Sequence, residues 1–184
     1  MCVTLTLTLS SLSADVFPAV FKSAVITPLL KKPGLDTSDV AHYRPISNLS
    51  VLSKLMERVV ARQLVGYIDA NRLLPDCQSA YRKFHSTETA LTHVLSDIFT
   101  AIDSGNTALM SLLDMSAAFD TVDHQILQCR LNISYGMTSN VLEWLASYLT
   151  DRQQLVRHSG LTSSTTLLTC GVPQGSVLGP ILFL

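Results

Sequence analysis

A short apolar run that stops at an acid sets the tightest limit on this fold. Residues 108–113, Ala-Leu-Met-Ser-Leu-Leu, lead directly into Asp114. The length and content of the run predict a central β-strand, paired on its edges and covered by helices. A carboxylate at the end of a buried strand is costly unless it meets a cation or hydrogen-bond donors. Position alone therefore makes Asp114 a candidate metal ligand. Asp120 and Asp123 follow closely, but with Thr121 they suit the first turn of a helix, where short polar side chains cap free N–H groups.

The rest of the chain reads as helices between short strands. Helical spacing predicts helices over 51–69, 87–102, 121–131 and 138–149. In the first, Leu52, Leu55, Met56, Val59, Val60 and Ile68 form the apolar stripe, with Lys54, Glu57, Arg58 and Arg62 mostly off it. In the second, Leu91, Val94, Leu95, Ile98 and Ile102 form the buried face, Ser86 caps the start and Glu88 sits in the first turn. Residues 3–9 alternate in a strand pattern, and 21–30 read as a strand that Pro28 marks as an edge. Residues 154–158 and 165–169 flank Ser159-Gly160 as a hairpin with a longer loop. The stretch 35–48 is polar and punctuated. The fold class is α/β, or α+β by stricter usage.

Composition narrows the function classes. The chain of 184 residues has 13 basic and 14 acidic residues, a net charge of −1, which gives a polyanion partner no support by itself. The charge is polarised, however: residues 21–85 hold ten basic groups against five acids, and residues 86–184 hold three against eight. The four cysteines, Cys2, Cys77, Cys129 and Cys170, have no zinc-ligand spacing, so no structural zinc is expected. No apolar run has transmembrane length, so no membrane partner is expected, and the thiols fit an intracellular protein, in nucleus or cytoplasm.

A second candidate site is the loop Gly171-Val172-Pro173-Gln174-Gly175-Ser176. Gly171 and Gly175 permit backbone conformations closed to other residues, and Gln174 offers both a donor and an acceptor suited to a base edge. The loop lacks the Gly-Lys-Ser/Thr element of a Walker A motif and the following acid of a dinucleotide fingerprint.

These two segments, with Tyr43-Arg44-Pro45-Ile46-Ser47, Gln78-Ser79-Ala80-Tyr81-Arg82 and His85-Ser86-Thr87-Glu88-Thr89-Ala90-Leu91, resemble the reverse transcriptases of non-LTR, LINE-like retrotransposons from about residue 25 to 184. The resemblance implies truncated right-hand fingers and palm, with helices on an incomplete antiparallel palm sheet. Residues 1–20 would be an undefined extension, 21–106 the fingers, and 107–184 the first half of the palm. The implied activity is RNA-templated DNA synthesis from a DNA primer and dNTPs, with two Mg2+ ions, Mn2+ being an alternative. Asp114 would be the catalytic carboxylate shared by the ions, with the Met115 carbonyl assisting. Phe119 would gate against ribose, Arg82 would contact the triphosphate, and Gly171, Gln174 and Gly175 would lie near the incoming nucleotide. Arg44, Pro45 and Lys54 would approach the template, and Asp120 and Asp123 would be structural.

Two departures accompany the resemblance. Phe84 stands where the family often carries a glycine. The family's aromatic-Ala-Asp-Asp palm motif is absent, as are the remaining palm and thumb, and the closing apolar run at 181–184 suggests an interrupted fold. One carboxylate cannot fix two metal ions about 3.5–4 Å apart, so the chain alone is expected to be inactive. The rival expectations are a non-catalytic nucleic-acid-binding remnant and a truncated product without function.

Overall fold

The computed structural model describes residues 10–115 and 117–184, so the alternating segment 3–9 lies outside the described residues. The architecture is a mixed α/β fold, a small sheet with helices packed beside it. Strand β1 (Ser23–Leu30) runs antiparallel to β2 (Tyr43–Asn48) on one edge and parallel to β3 (Arg152–His158) on the other. The short strands β4 (Leu161–Thr162) and β5 (Thr166–Leu168) return along β3. The sheet therefore contains a parallel pair, where an antiparallel sheet was expected.

Strand β2 falls in the stretch that reads as polar and punctuated. Pro28 and Pro45 are register partners across β1 and β2. Neither ring has an N–H, and an antiparallel ladder accepts such a pair where the residues exchange no hydrogen bond. The parallel pairing covers only Ser23–Ile26 of β1, so Pro28 does lie on a locally free edge. The β3–β4 hairpin is tighter than expected. Ser159 and Gly160 form a two-residue turn with φ of 49° and 79°, the positive pair that matches the strand twist.

The helices follow the periodicity closely. Helix α1 (Val51–Ala70) is capped by Ser50, which accepts from Ser53 N–H, and α2 (Thr87–Asp103) begins with a reciprocal Ser86–Thr89 capping box. Asp123 caps α3 (His124–Ile133) by accepting from the N–H groups of Gln125 and Ile126. Helices α4 (Ser139–Leu149) and α5 (Gly179–Phe183) complete the set. The core is built from one face of α1 (Val60, Ala61, Leu64, Ile68), the buried face of α4 (Trp144, Leu145, Tyr148, Leu149), and Val172, Leu178 and Leu182. Phe17 enters from the N-terminal side, edge-on to Trp144 and Tyr148 at centroid distances of 5.6 and 5.1 Å.

Two expectations about burial fail together. Residues 108–113 form no strand, and Leu113 is 94% exposed. Helix α2 buries none of its residues, leaving Leu91, Val94, Leu95, Phe99 and Ile102 exposed and Ile98 half-buried. A strand needs ladder partners to satisfy its N–H and C=O groups, and no described strand lies beside this segment. Residues 108–113 thus offer α2 no strand to cover, and its apolar stripe stays exposed among the described residues. Among the described residues, no helix is long and apolar enough to cross a membrane.

Candidate nucleotide and template site

Three segments far apart in sequence converge at one place. Residues 117–122 turn tightly, with Asp120 N–H donating to the Ala117 carbonyl and Ala117 left-handed at φ 52°. This turn is stitched to the second candidate loop: Val172 N–H donates to the Phe119 carbonyl at 2.8 Å, and Gly171 N–H to that of Val122 at 2.7 Å. His124 Nε2 lies 2.8 Å from the Gly171 carbonyl and donates to it. A Cβ on Gly171 would stand 3.0 Å from both Asp120 Cα and the Phe119 carbonyl oxygen, so only glycine allows this approach.

The same loop then meets β2. Ser47 N–H donates to the Gln174 carbonyl at 2.8 Å, and a Cβ on Gly175 would lie 3.1 Å from the Ser47 carbonyl. Gln174 is half-buried, and its side-chain amide makes no hydrogen bond among the described residues. Arg44 and Pro45 are exposed on β2, and Lys54 is half-buried on α1. The loop thus brings Phe119 and Asp120 on one side together with the Arg44–Pro45 strand on the other.

Helix α1 closes the loop from beneath. Glu57 is fully buried. One carboxylate oxygen accepts from Val177 and Leu178 N–H at 2.7 and 3.2 Å, and the other accepts from the Ser53 hydroxyl at 3.0 Å. Sequence spacing puts Glu57 off the apolar stripe, and here the structure corrects it. The buried positions are Ser53, Met56, Glu57, Val60, Ala61, Leu64 and Ile68, while Leu52 and Val59 are exposed. The available signal was Ser53 four residues before Glu57 on a face continued by Val60, Leu64 and Ile68. Beside Glu57 and Ser176 lies the buried Tyr148 hydroxyl, without a well-formed hydrogen bond. Burial, and then the Glu57 charge, push its pKa far above the ordinary value of 10.0.

Arg82, Met115 and Asp114 take no part in these hydrogen bonds. Arg82 Nη1 reaches the carbonyls of Pro75, Asp76 and Gln78, each at 3.4 Å. Arg82 and Met115 line one cavity of about 230 Å³ with Val122, Asp123 and Phe183. Phe119 is half-buried and packs on Phe183 at 5.4 Å between ring centroids. Phe84 adopts φ 66°, the left-handed conformation that a glycine would hold without strain. Asp114 is exposed and makes no hydrogen bond among the described residues. Among those residues no group of three or more His, Cys, Asp or Glu side chains could hold a metal ion. Among the described residues, the donor set therefore does not fit a two-ion centre.

Comparison with known proteins gives a consistent picture. Residues 30–184 match the family model described as reverse transcriptase (RNA-dependent DNA polymerase). The chain is 38% identical over 167 residues to a probable RNA-directed DNA polymerase from transposon X-element of Drosophila melanogaster, covering 91% of this chain and 18% of that protein. It is 37% identical over 172 residues to the probable polymerase from transposon BS of the same organism, covering 94% and 19%. It is 34% identical over 174 residues to the RNA-directed DNA polymerase from mobile element jockey, also of Drosophila melanogaster, covering 95% and 19%. The chain thus spans about a fifth of the length of these relatives.

Proposed function

Since the chain belongs to the reverse transcriptase (RNA-dependent DNA polymerase) family, we propose that it supplies the template-side and nucleotide-side surfaces of an enzyme that copies RNA into DNA. The observation that carries this reading is the junction itself. One loop, 171–176, is hydrogen-bonded to the Phe119–Val122 turn on one side and to Ser47 of β2 on the other. A nucleotide paired to a template base has to touch both sides at once, and this loop fixes their separation.

In this reading Arg44, Pro45 and Lys54 border the template. With Lys54, the exposed Arg58 and Arg62 continue a basic row at four-residue spacing along α1, suited to backbone phosphates. Gln174 reads the nascent pair through its amide, and Phe119, braced by Phe183, sets the wall against the sugar. Arg82 meets the triphosphate from its own loop. Asp114 contributes one carboxylate to the chemistry of the complete enzyme, and the isolated chain does not extend primers.

The lack of a gathered acid cluster among the described residues favours a second reading for the chain by itself: an RNA–DNA-binding module without catalysis. The two are separated by adding an RNA template, a DNA primer and dNTPs with Mg2+. The first requires extension when this chain replaces the matched segment of the jockey polymerase, lost in Asp114→Asn. Hybrid binding by the chain with no extension from the chimera would support the second, and absence of both would refute the polymerase assignment for this sequence.

A further inference from the structure

We infer that Glu57 is a positioning residue, holding the 171–176 loop in the place where Gln174 meets a nucleotide; this rests on the function proposed above. Glu57 is the one acid on the buried stripe of α1, and nothing in the chemistry assigned to the site uses it. Burying a carboxylate is costly unless donors surround it. Here the donors are the Ser53 hydroxyl, which fixes one oxygen, and the N–H groups of Val177 and Leu178, which take the other. Both N–H groups belong to the segment that leaves the loop, immediately after Ser176.

The geometry makes Glu57 the lower anchor of a loop held at four further points, one of them the His124 ring on the Gly171 carbonyl. Ser47 ties Gln174 from β2, and Phe119 with Val122 ties Val172 and Gly171 from the preceding turn. Ser176 Oγ donates to the Pro173 carbonyl and accepts from Gly179 N–H, closing the bend internally. Every one of these ties is to main chain, and the Gln174 side chain is left for a ligand. Glu57 is the one side chain that accepts from two successive main-chain N–H groups where the chain leaves the loop, so it is the tie whose loss should release the loop most.

Chain length, more than charge, should matter. Glu57→Gln keeps the reach: its carbonyl oxygen accepts from Val177 and Leu178, and its amide donates to Ser53 Oγ. Glu57→Asp keeps the charge but is one methylene shorter and cannot span to both partners. Ser53→Ala removes only the group that orients the carboxylate.

The test is hydrogen exchange on the whole 184-residue chain, with and without an RNA–DNA primer-template plus the matching dNTP. In the free chain, Val177 and Leu178 amides should exchange at the wild-type rate within about threefold in E57Q, and roughly tenfold or more faster in E57D, the scale of one lost hydrogen bond. S53A should accelerate the same two amides to a smaller degree, with β1 and α4 unchanged. With ligands, residues 172–178 should gain protection in wild type and E57Q and not in E57D. Equal protection in E57D and E57Q would overturn the proposal. So would a uniform loss of protection through β1, α4 and the loop in every variant, because Glu57 would then support the core at large. If no variant responds to primer-template and dNTP, wild type included, the polymerase reading fails while the free-chain exchange still decides whether Glu57 holds the loop.

Discussion

Ser47 and Gln174, 127 positions apart, share a backbone hydrogen bond of 2.8 Å between the Ser47 N–H and the Gln174 carbonyl. That bond joins a strand bearing exposed Arg44 to a glycine-bounded loop, and it explains why the loop tolerates no side chain at Gly175. The φ there is +108°, and the missing Cβ would sit against the Ser47 carbonyl.

Gly171→Ala and Gly175→Ala are therefore expected to cost more than Gly105→Ala. All three glycines have positive φ, but an added Cβ at Gly105 meets nothing within 4 Å. The conformational penalty alone is about 1 kcal/mol, and the backbone clash at Gly171 and Gly175 should raise it to roughly 2–4 kcal/mol. Urea unfolding of the three variants measures the difference; equal midpoints for all three would contradict it.

Phe84→Gly should stabilise the chain. Phe84 is 88% exposed and left-handed, so its ring gains little from burial while its backbone is strained. Removing the side chain forfeits an exposed contact with Lys83, whose Nζ is 4.7 Å from the ring centroid, worth about 0.5 kcal/mol. Relief of the left-handed conformation returns about 1–2 kcal/mol, for a net gain near 1 kcal/mol in thermal or urea unfolding.

Alkaline pH should destabilise wild type more than Tyr148→Phe. The buried Tyr148 hydroxyl has its pKa raised above the ordinary 10.0. A raised acid favours the fold while it stays protonated: the contribution is complete below pH 10 and is lost as pH climbs above it, where the unfolded chain ionises and the folded one resists. The extra slope reaches at most about 1.4 kcal/mol per pH unit. Unfolding titrations from pH 8 to 11 should show the two curves parallel below pH 10 and diverging above it.

Replacing Lys54, Arg58 and Arg62 together with Gln should weaken RNA–DNA hybrid binding uniformly across sequences. If each contacts one phosphate, the slope of log affinity against log salt falls by about 0.7–0.9 per residue lost. Fluorescence anisotropy between 50 and 200 mM salt, round figures that bracket the usual range, reads this directly; an unchanged slope would remove α1 from the template path.

Much of the local structure was legible from residue order. The cap at Ser86 and, within a residue, the limits of three longer helices follow from side-chain chemistry within a few residues, which needs no distant partner, whereas the helix expected over 121–131 begins at His124 with Asp123 as its cap. The site was legible only in pieces. The glycines announced a tight loop, but not that Gly171 would press on Asp120 or Gly175 on Ser47.

The apolar run before Asp114 and the buried Glu57 show the opposite limits of such reading. An apolar pattern states that a segment would gain from burial, and it cannot state which neighbour will bury it; residues 108–113 have no ladder partner among the described residues and stay exposed. An acid in a helix reads as solvent-facing until a loop over a hundred residues away brings two N–H groups to it. Sequence alone determined the helices, their caps and the family. Tertiary structure decided which faces are covered and which polar groups are satisfied, because burial and hydrogen bonding are properties of pairs, and a sequence names only one member at a time.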